Sequence, residues 1–378
     1  MPVNRADVAI VGAGILGLAH AYTFARKGRS VVVFERSAKA EGASVRNFGM
    51  IWPIGQAAGD NHELALRSRE VWLDVLHSAQ LPHLPTGSLH LTYRDDEASV
   101  AQEFADIAPA HGYDCQWLSS EAVLCRSQAV RPDGLRGGLW SSLELTVDPR
   151  SILARLPLFL AEQLGVQFRF GCPVRAVTLP VVEAGDERWE VDRAIICSGQ
   201  DLETLFPRLL REAGLTRCKL QMMRTAPQPD GWRLGPSLAA GLTLRFYPAF
   251  EICSSLRALK QRITSETPEY DRWGLHLLVS QTEQGELTLG DSHEYGGTVD
   301  IFDKSEIDRL ILDYAGTFLR APSLDVAQHW HGSYAKHPTQ PFISLSPEPE
   351  VRIVTAAGGS GMTLSFGIAE RTVSLMEI

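Results

Sequence analysis

Gly12, Gly14 and Gly17 stand in a GxGxxG spacing near the start of the chain, and Glu35 closes the apolar run that follows them. That set can bind a dinucleotide. The first glycine permits a tight turn, the second lets backbone approach a pyrophosphate, and the third lets a helix pack close to a strand. The carboxylate can accept hydrogen bonds from ribose hydroxyls. Ala13 and Ile15 lie in the same turn, where the donors are backbone amides and no lysine is required. A second glycine turn, Gly358-Gly359-Ser360-Gly361-Met362-Thr363, lies near the C-terminus. A helix starting there would offer amide donors to an electron-rich partner, such as the reduced N1–C2=O edge of a flavin.

The elements that hold these turns follow from residue pattern. A β-branched run precedes Gly12; Ile15, Leu18, Ala19 and Tyr22 then recur at helical spacing up to Gly28, and residues 30–35 read as a buried strand, which makes a βαβ unit. Residues 8–25 contain no Asp, Glu, Lys or Arg, which meets the bare length of a membrane span. The internal glycines and the lack of a basic leading segment assign the run to strand and helix instead, so neither a membrane span nor a secretory signal is expected. Residues 351–367 repeat the order strand, glycine turn, helix. Residues 242–247 and 276–280 read as strands of a mixed sheet. Asp148-Pro149-Arg150 reads as an N-cap followed by a first-turn proline.

With 378 residues, 44% hydrophobic and 21% charged, the chain has the composition of a globular protein of two lobes, which excludes collagen, coiled coil and disordered tail. Its formal charge of -9 argues against a nucleic-acid partner and means that an anionic substrate needs a local basic pocket. Six cysteines without a CxxC pair read as reduced thiols of a cytoplasmic protein, and no metal site is expected.

The two glycine turns, Asp148-Pro149-Arg150, residues 164–168, Val174 and residues 194–199 together resemble the D-amino-acid-oxidase-like superfamily of FAD-dependent oxidoreductases, the group containing glycine oxidase and sarcosine oxidase. The resemblance covers nearly the whole chain. It implies an α/β fold: a Rossmann-like FAD-binding domain, with a parallel sheet flanked by helices, from residues 1–80, 148–205 and 335–378. Interleaved with it is a substrate domain on a mixed β-sheet from 81–147 and 206–334. The residues implied for FAD are Gly12, Ala13, Gly14, Ile15, Gly17, Glu35 and Arg36; Ser44, Val45, Asn47, Phe48, Gly49 and Met50 in the first loop; Val174 against adenine, with Ser198 and Gly199; and Gly359, Ser360, Gly361, Met362 and Thr363. No cysteine follows Cys253, so FAD is expected to be noncovalent.

Such enzymes move a hydride from the carbon beside an amine to flavin N5, and water hydrolyses the resulting imine; no catalytic side chain is required. Where glycine-oxidase-like members carry an arginine shortly after Trp-x-Gly, this chain reads Trp330-His331-Gly332-Ser333-Tyr334-Ala335-Lys336-His337. Tyr334, Lys336 and His337 offer a hydroxyl, a point charge and a titratable donor, a set suited to a tetrahedral dianion more than to a planar carboxylate. Arg46, Arg224, Arg245 beside Tyr247, and Asn47 are the other substrate candidates. His20, His276 and His329 read as helix-face or strand residues, and Met222-Met223 as core. Residues 43–50, 221–225, 247–251 and 358–363 further resemble a subgroup associated with phosphonate breakdown, which implies oxidation of 2-aminoethylphosphonate or an N-methyl or hydroxy derivative to aldehyde plus amine or ammonia. The alternatives are an amino-acid or secondary-amine oxidase clamping its substrate with Arg46 or Arg245, a non-catalytic flavin-binding subunit, and a nicotinamide dehydrogenase. O2 is a candidate electron acceptor, and oligomeric state is open.

Overall fold

The first strand, Asn4–Val11, alternates its side chains between two apolar layers: Val8 and Ile10 enter one buried cluster and Ala9 enters another. It therefore sits mid-sheet, in parallel register with Val31–Glu35 on one side and Glu187–Ile196 on the other. A computed structural model describes residues 4–377 of the chain. In it this sheet has eight strands. Its main path runs Ile343–Glu348, Val351–Thr355, Glu187–Ile196, Asn4–Val11, Val31–Glu35 and Gln167–Phe170, and Val174–Thr178 and Val181–Ala184 attach antiparallel.

Helices Ile15–Arg26, Asp60–Ser78, Pro149–Leu164 and Gly361–Met376 fill one layer against the sheet, with Phe24, Trp72, Leu156 and Phe366 fully buried among them. Asp148 caps the third of these, its carboxylate accepting the Arg150 N–H, and Pro149 occupies the first turn. Helix Pro207–Glu212 buries Leu210 in the opposite layer and so stays with this sheet, beyond the expected boundary at 205.

The second sheet has nine strands, in the order Glu294–Gly296, Thr216–Pro227, Glu286–Gly290, Leu278–Gln281, Ser237–Ala239, Ser88–Thr92, Gly137–Ser141 and Gln116–Ser119. Val326–Lys336 also pairs with Thr216–Pro227. The sheet is mixed, since Ser237–Ala239 runs parallel to Ser88–Thr92 among otherwise antiparallel pairs.

One expected strand is absent. Residues 242–247 fall in a 3-10 turn, Gly241–Arg245. The Arg245 guanidinium donates to the carbonyls of Leu242 and Leu275, and Thr243 donates to Leu277 O, so side-chain bonds to carbonyls replace a ladder. The strand expected over 276–280 begins at Leu278. The six cysteines are unpaired, and among the described residues no helix is long and apolar enough to cross a membrane.

His20 is buried in the first helix, donating Nδ1–H to Leu16 O while Nε2 has no partner. Burial lowers its pKa from 6.5 to about 4. Below pH 6.5 the unfolded chain binds a proton that the folded site refuses, so this contribution is complete above pH 6.5 and lost as pH falls toward 4. At pH 5 the loss is about 2 kcal/mol. His20→Gln should therefore reduce the fall in Tm between pH 7 and pH 5 measured by scanning fluorimetry; an unchanged fall rejects this account.

Candidate active site

At the C-terminal end of the first strand the backbone turns through Gly12, whose φ of +103° an L side chain rarely adopts, and a Cβ there would meet Cys197 O at 2.4 Å. A cavity of about 430 Å³ opens at this turn, lined by Gly12, Gly14, Ile15, Glu35, Arg36, Ser44, Val174, Ser198 and Gly199. Gly14, the N-cap residue of the first helix, supplies no side-chain cap; Ser44 Oγ accepts the Ile15 N–H at 3.0 Å, and the rest of the first turn keeps amide donors for a ligand. Glu35 Oε2 accepts the Ala13 N–H at 3.0 Å and Oε1 accepts the Ser37 N–H at 3.0 Å. Its remaining lone pairs are free for ribose hydroxyls. Arg36 is paired with Asp201 at 2.9 Å. A glycine cradle, an anchored carboxylate and a helix N-terminus on one elongated cavity fit the adenosine and pyrophosphate half of FAD.

A second cavity, of about 270 Å³, shares Ile15, Ala43, Ser44, Arg46, Tyr334, Ala356, Ala357, Gly358 and Gly361 with the first. Asn47, Phe48, Met50, Gly359, Ser360, Met362 and Thr363 line it too. Helix Gly361–Met376 starts here without a side-chain cap, leaving its amides directed at the cavity end. Its turn is tied to the first loop: Trp52 N–H donates to Thr363 Oγ1 at 2.9 Å, and Trp72 Nε1 donates to Met362 O at 2.7 Å. The shape and donors fit a flavin ring between the glycine turn and the 43–50 loop.

Of the residues implied for the cofactor, Ala13, Gly17, Val45 and Gly49 line neither cavity. Ala13 offers only its N–H, to Glu35. Gly17 gives close approach, since a Cβ there would lie 1.9 Å from Gly12 O, and Gly49 likewise lies against Val147 O, at 1.8 Å. Val45 packs on the helical layer. Asn47 lines the cavity while bracing the loop, donating to Ala43 O and Ser44 O and accepting from Gly49 N–H.

The substrate candidates separate into two groups. Arg46, Asn47, Tyr247, Tyr334 and Lys336 meet on the second cavity. Arg224 does not: it is buried between Asp148, at 3.5 Å, and Glu286, at 3.2 Å. Arg245 is held by Asp271 at 3.1 Å, and the His337 ring accepts the Thr339 and Gln340 N–H groups; neither lines either of these two cavities. Arg46 donates to His331 O, and Lys336 Nζ lies 3.3 Å from Tyr295 Oη; among the described residues neither has a carboxylate partner.

His276, Asp291 and His293 line the same cavity, fully buried, with ligating atoms within 4.8 Å of one another. The pattern reading made His276 a strand residue, assigned nothing to the other two and expected no group of metal-ligating types. Their spacing has no motif, because a turn across neighbouring strands brings them together. His329 is paired at the surface with Asp308, 3.2 Å away.

Residues 7–375 match the family of FAD dependent oxidoreductases. A 181-residue stretch is 29% identical to the bifunctional protein ThiO/ThiG of Trichormus variabilis, covering 45% of this chain and 26% of that protein. Glycine oxidase from Bacillus cereus shares the fold with a TM-score of 0.78 and 16% identity, over 98% of this chain and 95% of its own. The dithionite-reduced, FAD-bound L-alpha-glycerophosphate oxidase from Mycoplasma pneumoniae does so with a TM-score of 0.77 and 18% identity, over 100% and 96%. With a match from residue 7 to 375, and a glycine cradle at each end of its cavities, the chain belongs to the DAO family of FAD-dependent oxidoreductases.

Proposed function

We propose that this FAD-dependent oxidoreductase oxidises a small amine bearing an anionic group, an aminophosphonate of the 2-aminoethylphosphonate type. One observation carries the reading: Arg46 and Lys336 line the cavity of the C-terminal glycine turn without a carboxylate partner among the described residues, whereas Arg224 and Arg245 are locked in ion pairs. In a chain of net charge -9, two such cations on one cavity make a local anion site. Bound FAD supplies the hydride acceptor.

The protein supplies orientation and dryness. Lys336 is a compact charge that can approach any face of a tetrahedral group, and Tyr334 adds a hydroxyl on the same wall. Trp52, Phe246 and Tyr247 form apolar sides that exclude water. Gly12, Gly14, Ile15, Glu35, Arg36, Ser44, Val174, Ser198 and Gly199 would hold the adenosine and pyrophosphate half of FAD, and the 359–363 turn its ring. A second reading, an amino-acid oxidase, is favoured by Arg46, whose guanidinium can pair a planar carboxylate through two bonds, and by the shared fold with a glycine oxidase.

Anaerobic mixing of the yellow holoenzyme with 2-aminoethylphosphonate or its N-methyl derivative should bleach the flavin band. Bleaching by glycine, sarcosine or a D-amino acid alone would establish the second reading. Lys336→Met should raise KM by roughly 10-fold or more with an unchanged flavin spectrum, the signature of a lost charged contact to substrate; an unchanged KM removes Lys336 from the anchor. Glu35→Gln replaces one acceptor oxygen by a donor facing a backbone N–H and should weaken FAD retention about tenfold, read by equilibrium dialysis. Equal retention by both proteins would exclude Glu35 from the site.

A further inference from the structure

The cavity has a second charged pole that the anion site leaves unexplained. Asp291 is buried, and its Oδ1 has no hydrogen-bond donor among the described residues. His276 Nε2 lies 3.1 Å from that oxygen but is not aligned to donate to it, and His276 Nδ1 is also unpartnered. His293 Nδ1 is fixed by Gly274 O at 3.0 Å, which turns Nε2 toward Asp291 Oδ2, 3.9 Å away. The Phe246 ring covers both imidazoles, at centroid distances of 4.0 and 4.3 Å, so neither ring can swing away to satisfy itself. A buried carboxylate oxygen without a donor is costly unless a ligand completes it.

We infer that Asp291, framed by His276 and His293, is the amine-binding pole of the cavity, its unpartnered Oδ1 accepting an N–H of the substrate's ammonium. This rests on the amine-oxidation reading above. The ligand is an organic ammonium, for which the aromatic faces of Phe246, Tyr247 and Trp52 on the same cavity are suitable neighbours.

A divalent metal ion is the competing occupant of two imidazoles and a carboxylate. Against it stands Lys336 on the same cavity, whose charge opposes a dication more than a monocation.

The test titrates oxidised holoenzyme with ethylamine and, separately, with ethylphosphonate, following the perturbation of the flavin absorption band. Asp291→Asn keeps the side chain's shape, and it should weaken ethylamine roughly tenfold or more while changing ethylphosphonate less than about twofold. His276→Gln, a second variant should the first not retain FAD, should weaken ethylamine at least about threefold with ethylphosphonate again unchanged. Equal ethylamine affinity in wild type and variants, no ethylamine binding to wild type, or a stoichiometric metal in the purified holoenzyme would overturn the inference. Ethylamine binding without ethylphosphonate binding would overturn the anion site and leave the amine pole standing, so the two readings fail separately.

Discussion

The contact between Gly17 and the carbonyl of Gly12 is the constraint from which the rest of the site is built. With a Cβ 1.9 Å from that oxygen excluded, the first helix rests directly on the end of the central strand and its amide end faces the cavity. The Ile15 N–H then reaches Ser44 Oγ at 3.0 Å, which ties the 43–50 loop to the helix terminus. Asn47 braces the same loop internally, and Gly49 lets it lie on the Val147 backbone. Ser280 Oγ donates to Phe48 O at 2.9 Å, so the loop is also fastened to the second sheet. A single close packing thus orients the first turn and the loop that carries Arg46.

Charge is arranged around that frame by burial and pairing. Asp148 caps a helix packed on the first sheet and also meets Arg224 of the second sheet, which pairs with Glu286 on the neighbouring strand. These ion pairs link the second sheet to that helix, and the buried Arg224 guanidinium is unavailable to a ligand. Arg245 is consumed in the same way by Asp271 and two carbonyls. What remains on the second cavity is one pole of positive side chains, Arg46 and Lys336, and one buried carboxylate, Asp291. A zwitterionic amine has the complementary pair of charges.

The first βαβ unit, the C-terminal strand, turn and helix, and the Asp148 cap were legible because each is encoded within a few dozen consecutive residues: apolar period, glycine, capping carboxylate. Residues 242–247 misread because their alternation is that of a strand while Arg245 and Thr243 are held by carbonyls that include distant Leu275 and Leu277. Arginines on strands carry no signal of where their carboxylates lie, so Arg224 and Arg245 looked equivalent to Arg46.

By itself the sequence determined the family, the dinucleotide turn and the position of the second glycine turn, since glycine conformation and helix termini are local properties. Only the tertiary structure decided which cations remain unpaired and that His276, Asp291 and His293 share one buried corner. Those facts depend on contacts between residues far apart in the chain, such as Asp148 with Arg224 and the turn that folds Asp291 back onto His276, and no local pattern of residue types records such contacts.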